Sequence, residues 1–358
     1  MKKKKILFTV IVTAVSVLGI FVYSWRTGEV RLSSQDIGIS AGQAILIDAH
    51  TGRVIYEKSA DEKAYPASTT KIMTAMITIQ TLEKYDSPIK QKVKVPPGAE
   101  GTEGSSIYLK TGEMISIEDL LYGLMLVSGN DSAEALAEII GGSRENFVDM
   151  MNKKAKDIGM NDSVFSNATG LDEEDAGNRS SAYDMALLMS YCSQNPIFND
   201  IVMKQTYKRE DGGGTWHNKN RLLEEYEYCV GGKTGFTKKA RRTLVTRAIK
   251  NDVSLVIVTL NCGNDFEFHK AKYEECFEKY QNMLVLPKGI YQYHGHSFLI
   301  DEDLYYCGQE TSKASLQGTN DSLKVYVSQN QIYEVKREMG VQTILRYWFI
   351  LLGEFING

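Results

Sequence analysis

Three short runs of the chain carry residue types that could do nucleophilic chemistry. Ser68-Thr69-Thr70-Lys71 places a hydroxyl and an amine three positions apart. On a helix that spacing puts both on one face, within reach of each other. A serine hydroxyl is a weak nucleophile and needs a base. Lysine can be that base when burial or a neighbouring cation lowers its pKa. A serine at a helix start also lies among free backbone N–H groups and the positive end of the dipole, which suit developing negative charge. Ser128-Gly129-Asn130 offers a second hydroxyl and an amide, in a loop between two helical patterns. Lys233-Thr234-Gly235, preceded by Gly231-Gly232, offers a cation and a hydroxyl that could hold a carboxylate, on a strand whose glycines allow close backbone approach. Taken singly, each run has an ordinary explanation: a helix cap with a surface lysine, a Gly-Asn turn, and a polar turn. A competing Lys110-Thr111-Gly112 precedes Ser128 and leads into a helix rather than a strand pair, so it is set aside.

The surrounding patterns supply the elements these residues need. Ala44 to Asp48 and Arg53 to Glu57 read as two strands of a hairpin with Gly52 in the turn. Pro66 and Ser68 open a helix that runs to about Leu82, with Ile72, Met73, Met76, Ile77 and Ile79 on its apolar face. Further helices are expected over Ile117 to Val127, Ser132 to Ile140, 144 to 158 and 181 to 192. Val253 to Leu260 is a near-continuous β-branched run, a buried strand, with Thr243 to Ile249 as its partner. Strands at both ends with helices between them make an α+β domain with one sheet, spanning 43–283. From 284 to 340 short strand-like runs alternate with polar turns, the pattern of a small all-β domain. The terminal segment 341–358 is apolar and aromatic but too short to span a bilayer; it reads as an interfacial helix or as one docked on the β domain.

Composition excludes several functions. With 43% hydrophobic and 24% charged residues the chain can bury a full core. A net charge of −4 gives no basic field for nucleic acid. The five cysteines, Cys192, Cys229, Cys262, Cys276 and Cys307, form no C-x-x-C pair, so they are expected as core or free thiols. His294 and His296 lack a third ligand, and no metal is expected. At the N-terminus, Lys2 to Lys5 precede twenty uncharged residues, Ile6 to Trp25. That stretch is long for a signal sequence, and no A-x-A cleavage site follows it. Segment 1–26 is thus expected to be a membrane anchor or signal, followed by a polar linker at 27–42. Its lysines stay in the cytoplasm, which sends the rest of the chain to the extracytoplasmic face.

The three runs occur in the order of the S-x-x-K, S-D-N and K-T-G set shared by penicillin-binding proteins and class A β-lactamases. From about Gln43 to Tyr280 the chain resembles the low-molecular-mass penicillin-binding proteins, the serine-type D-alanyl-D-alanine carboxypeptidase family. The resemblance rests on Ile45 to Gly52, Pro66-Ala67-Ser68-Thr69-Thr70-Lys71, Leu120 to Leu124 leading to Ser128-Gly129-Asn130-Asp131, and Asn167-Ala168-Thr169-Gly170-Leu171. Ser181 to Ala186, Asn218 to Leu223 and Gly232 to Thr237 complete it. The resemblance implies a β-lactamase/transpeptidase-like fold, a helical cluster on an antiparallel sheet. It also implies an acyl-enzyme on Ser68, with Lys71 taking the proton and Ser128 passing one to the departing D-Ala. Asn130 would bond the substrate backbone, and Lys233 and Thr234 its terminal carboxylate, on the strand that continues through Gly235. The N–H groups of Ser68 and Phe236 would form the oxyanion hole. Peptidoglycan stem peptides are then the substrate, β-lactams the inhibitors, and no cofactor is needed.

Two departures bear on this. An arginine is frequent in such enzymes after the last core strand, where this chain has His269 in Phe268-His269-Lys270-Ala271; a surface histidine is the expectation there, a secondary substrate contact the alternative. Glu174-Asp175-Ala176-Gly177-Asn178 mimics the E-x-x-x-N spacing of class A β-lactamases, but it sits in an acidic run, and Ser128-Gly129-Asn130 departs from S-D-N. A β-lactamase is therefore one alternative, and a non-catalytic sensor of β-lactam or peptidoglycan another. Intact Ser68, Lys71, Ser128, Asn130 and Lys233 argue against the sensor, since a pure binder need not keep them.

Overall fold

The computed structural model describes residues 41–173, 177–209, 212–309, 314–327 and 330–336. The N-terminal apolar run, most of the linker, Glu174 to Ala176 and the terminal apolar segment lie outside the described residues. Among those described, no helix is long and apolar enough to cross a membrane.

A five-stranded antiparallel sheet organises the chain. Its strands are β1 (Gln43–Asp48), β2 (Val54–Lys58), β3 (Cys229–Thr237), β4 (Arg241–Lys250) and β5 (Val253–Leu260), in the spatial order β2-β1-β5-β4-β3. Side chains alternate across a strand, and here both faces are covered. Ile45, Ile47, Val256 and Val258 enter one core with the helices. Leu46, Leu255 and Ile257 enter a second with Phe268, Tyr273 and Cys276. All eight residues of β5 are buried, which is why that run reads as unbroken apolar sequence rather than as an alternation.

Helices α1 (Lys71–Lys84), α2 (Ile117–Tyr122), α3 (Asn130–Gly141), α4 (Arg144–Asp157), α5 (Ala182–Cys192) and α6 (Pro196–Met203) build the first side; the short α7 (Leu222–Glu225) and α8 (Asp265–Lys279) cover the other. The sequence suggested one apolar face for α1. Instead every residue from Lys71 to Ile79 is buried, Thr74 and Thr78 included, so α1 is a central helix packed on all sides. The threonine hydroxyls are satisfied by Ala168 O and Thr74 O at 2.7 and 2.9 Å.

One expected helix is two elements. α2 stops at Tyr122, and Gly123–Val127 continues as a π-helical turn ending at Ser128. The wider turn is made by Ser128 N donating to Gly123 O, with Gly129 N donating to the same oxygen at 3.0 Å, and Ser128 adopts the left-handed conformation (φ 68°, ψ 33°). Single π turns of this kind gather at functional sites. α3 then begins at Asn130, so that residue opens a helix rather than closing a loop.

Beyond α8 the described residues form only strands among their regular elements: β6 (Gln281–Leu286), β7 (Gly289–Tyr293), β8 (His296–Ile300), β9 (Leu304–Gly308), β10 (Ala314–Gly318), β11 (Ser322–Val327) and β12 (Asn330–Lys336). They pair as β6-β9, β7-β8 and β10-β11-β12 around Ile300, Leu304 and Val325. Arg53 joins this region to the sheet, donating from Nη1 to Cys307 O at 2.5 Å and lying over the Tyr280 and Tyr306 rings. All five cysteines are buried free thiols.

Candidate active site

Ser68 sits in a 3-10 turn, Ala67–Thr70, that leads into α1. Its expected role as a helix cap is not what the structure shows: neither the turn nor α1 has a side-chain cap bond. The hydroxyl is left for other work. Several contacts hold the turn in place. Ala67 takes φ 50°, unusual for a residue with a Cβ. Pro66 O accepts from Thr69 Oγ1 (2.6 Å) and from Thr243 Oγ1 on β4 (3.0 Å). Gly170, at φ 80°, lies so close that a Cβ there would come within 1.9 Å of Ala67 O.

Lys71 is fully buried one helical turn on. Its Nζ lies 3.0 Å from Ser68 Oγ, 2.6 Å from Asn130 Oδ1 and 2.5 Å from Thr169 O. The Asn130 orientation is fixed independently, because its Nδ2 donates to Glu103 O at 2.7 Å. Burial lowers the Lys71 pKa to about 7, and the charge of Lys219 adds to the effect; Glu134 and Asp131 oppose it. Asp131 itself is occupied, accepting from Ser106 Oγ and from the backbone N–H groups of Ile107, Leu109 and Ser132. Those bonds fasten the 105–109 loop to the start of α3, and Asn130 N donates to Ser105 O at 2.7 Å. Ser128 is buried two positions before Asn130.

Strand β3 closes the other side. Lys233 is buried, with Nζ donating to Thr234 O at 2.8 Å. Desolvation, then the charges of Lys71 and Lys219, hold its pKa well below the ordinary lysine value. Thr234 and Gly235 are partly exposed along the strand, and Phe236 is largely exposed. Gly235 is where strand and turn touch: a Cβ there would lie 2.4 Å from Thr243 Oγ1 and 2.9 Å from Ser68 N. The end of β3 is tied to the loop after Gly170, with Asp172 accepting from Thr237 Oγ1 at 2.9 Å.

The structure therefore brings Ser68, Lys71 and Asn130 into direct contact, sets Gly235 against them, and couples Lys233 to Lys71 through charge. The arrangement sets a serine hydroxyl, two buried amines and backbone N–H groups beside an accessible strand. Several parts had no assigned role in the sequence. Lys219 is half-buried, donates to Ser105 Oγ at 2.9 Å, and its charge lowers the pKa of both Lys71 and Lys233. Asn178 donates to Thr70 Oγ1 and Asn167 O and accepts from Ser166 N and Asn167 N, which shapes the loop that carries Thr169 and Gly170. The Asn218 to Leu223 block contained Lys219, and the run Glu174 to Asn178 ended on Asn178, without either saying what these residues touch.

His269 corrects an expectation. It is not on the surface: it is fully buried between the sheet and α8, with Nδ1 2.7 Å from Thr246 Oγ1 and Nε2 3.0 Å from Thr259 Oγ1. Burial lowers its pKa to about 3. His294 and His296 flank the β7–β8 turn, and no group of three metal-binding side chains occurs among the described residues.

Comparison with known proteins agrees with this geometry. The profile of the family described as D-alanyl-D-alanine carboxypeptidase matches residues 30–264. The chain is 37% identical over 242 residues to the D-alanyl-D-alanine carboxypeptidase DacF of Bacillus subtilis, covering 65% of this chain and 60% of that protein. It is 36% identical over 239 residues to DacC of Escherichia coli, covering 63% and 58%. The match thus spans less than two thirds of either relative. The crystal structure of penicillin binding protein 6B from Escherichia coli superposes with a TM-score of 0.70 at 25% identity, covering 85% of this chain and 96% of that one.

Proposed function

The chain belongs to the D-alanyl-D-alanine carboxypeptidase family, and from that premise we propose that it removes the terminal D-alanine from peptidoglycan stem peptides through an acyl-enzyme on Ser68. One observation carries the mechanism. A neutral lysine has two N–H donors and one lone pair. The Lys71 amine faces two acceptors, Asn130 Oδ1 and Thr169 O, and one hydroxyl, Ser68 Oγ. With both donors directed at the acceptors, the lone pair is left for the serine proton. A pKa of about 7 keeps much of the amine in that form at neutral pH.

In the reaction Lys71 takes the proton as Ser68 Oγ attacks the carbonyl between the two D-alanines. The N–H groups of Ser68 and Phe236 receive the developing oxyanion. The C–N bond breaks, and Ser128 passes a proton to the leaving nitrogen. Water then hydrolyses the ester. Asn130 bonds the substrate backbone, and Lys233 and Thr234 hold its terminal carboxylate, with the peptide lying along Gly235 and Phe236. Burial disfavours the Lys233 ammonium, and the incoming carboxylate would supply the counter-charge that favours it. β-Lactams would acylate the same serine. The uncharged run Ile6 to Trp25 after four lysines supports a membrane-held enzyme on the extracytoplasmic face, where its substrate lies.

The test is release of D-Ala from a peptide ending in Lys-D-Ala-D-Ala, with Ser68→Ala as control. Release that disappears in the variant, with retained fold, is the expected result. Steady, rapid hydrolysis of penicillin instead would turn the assignment to a β-lactamase, and covalent penicillin binding without release to a sensor.

A further inference from the structure

The far end of the sheet holds a polar cleft that the peptidase chemistry does not use. It has a volume of about 470 Å³ and is lined by His50, Arg247, Asp252, Ser254, Asn282 and Tyr305 among others. Gly235, beside Ser68, pairs with Thr243 of β4; Arg247 and Ile249 lie four and six residues further along. At roughly 3.3 Å per residue that is about 13–20 Å away. The walls come from both parts of the chain: His50 from the β1–β2 turn, Arg247 and Ser254 from the sheet, Asn282 and Tyr305 from β6 and β9.

Arg247 is the unusual member. Its Nε donates to Ser254 Oγ at 2.9 Å and its Nη1 to Asn199 Oδ1 at 3.4 Å. Both partners are neutral, and Arg247 forms no ion pair with a carboxylate among the described residues. Burial depresses its pKa, as expected of a cation short of counter-charge. Asp252 shares the cleft but sits exposed on the β4–β5 turn at φ 62°, unbonded to the arginine. A half-buried guanidinium whose Nη2 makes no hydrogen bond to the described residues, beside an amide and an imidazole, matches the donor set of an anion site. Tyr305 is half-exposed at the same place and offers a ring face.

We propose that this cleft binds a carboxylate or phosphate carried on a sugar ring, with Arg247 as the charge partner, Asn282 as a second donor and Tyr305 beneath the ring. Such a ligand would touch both the catalytic sheet and the β-rich region, and would hold the enzyme to an anionic polymer away from the reacting peptide.

The experiment is calorimetric titration of the full chain, in detergent, with glucuronic acid and with glucose 6-phosphate. Saturable binding of at least one is expected, weakened at least tenfold by Arg247→Gln and unchanged by Lys233→Gln. The better-bound probe tells carboxylate from phosphate. Asn282→Asp keeps the arginine but adds a negative charge facing the ligand; it is expected to weaken binding as strongly, and it decides the matter if Arg247→Gln does not fold. No binding of either probe overturns the proposal. So does binding that Lys233→Gln abolishes while Arg247→Gln or Asn282→Asp leaves it intact, which would place the anion in the active site.

Discussion

A buried lysine beside a serine is only useful as a base while it is neutral, and two things keep Lys71 so. Desolvation disfavours the ammonium, and Lys219 repels it; Asp131 and Glu134 work the other way. Protonation below pH about 7 should therefore remove the base, and kcat/KM for the peptide is expected to fall about tenfold for each pH unit below that point. Lys219→Met removes a positive charge, so the Lys71 ammonium becomes easier to form and its pKa rises. The acidic limb of the profile should move to higher pH, with kcat/KM at pH 7 reduced roughly 3- to 10-fold and largely recovered at pH 9. A pH–rate profile of both proteins checks this. A uniform loss at every pH would mean that Lys219 only supports the 105–109 loop through Ser105. The contact of Ser68 with Lys71 was legible in the sequence because a three-residue spacing on a helix fixes it. The influence of Lys219 was not, because it is an electrostatic one across a fold in which 148 positions separate it from Lys71.

Elements place these residues, and the contacts that place the elements are mostly backbone. Loop 167–172 meets the nucleophile turn through Gly170, β3 meets it through Gly235, and β4 reaches it through Thr243. β1, β2, β4 and β5, with α1 and α3 to α5, were readable from the sequence pattern. The π turn before Ser128 was not: Gly123 to Val127 has the apolar pattern of an ordinary helix, and the Ser128-to-Gly123 backbone bond reveals the wider winding. Nor could α1 be told from an amphipathic helix, since its buried threonines look polar until their acceptors are known. Gly170→Ala tests the loop contact directly. The new Cβ would have to occupy space within 1.9 Å of Ala67 O, at a φ of 80° that alanine disfavours. Backbone must shift, and the expected cost is about 2 kcal/mol or more of unfolding free energy, read from urea denaturation. Because the shift displaces Ser68, kcat should fall about 100-fold, more than the lost stability explains. Normal turnover in a destabilised variant would show that the turn keeps its place without the loop.

At the scale of the whole molecule, the second core between the sheet and α8 contains a polar network. His269 bridges Thr246 on β4 and Thr259 on β5, and Thr246 Oγ1 lies 2.9 Å from the Tyr273 hydroxyl. Sequence reasoning put this histidine outside because nothing local distinguishes a buried histidine from an exposed one; its partners lie on two strands that meet only in the fold. Burial makes the folded protein hold His269 neutral down to pH about 3, against about 6.5 in the unfolded chain. Between those values the unfolded state binds the extra proton, so stability is complete above pH 6.5 and declines as pH falls toward 3. The separation is worth on the order of 4–5 kcal/mol in full, and about 3 kcal/mol by pH 4. His269→Gln keeps an amide that can donate and accept but does not titrate. Urea unfolding of both proteins at pH 7.5 and pH 4 should show the difference between them moving by about 3 kcal/mol in favour of the variant. Carboxylates contribute equally to both proteins and cancel in that difference. A gap that does not change with pH would mean that His269 is reached by water and protons without unfolding. The core beneath the active-site sheet would then be looser than its packing implies.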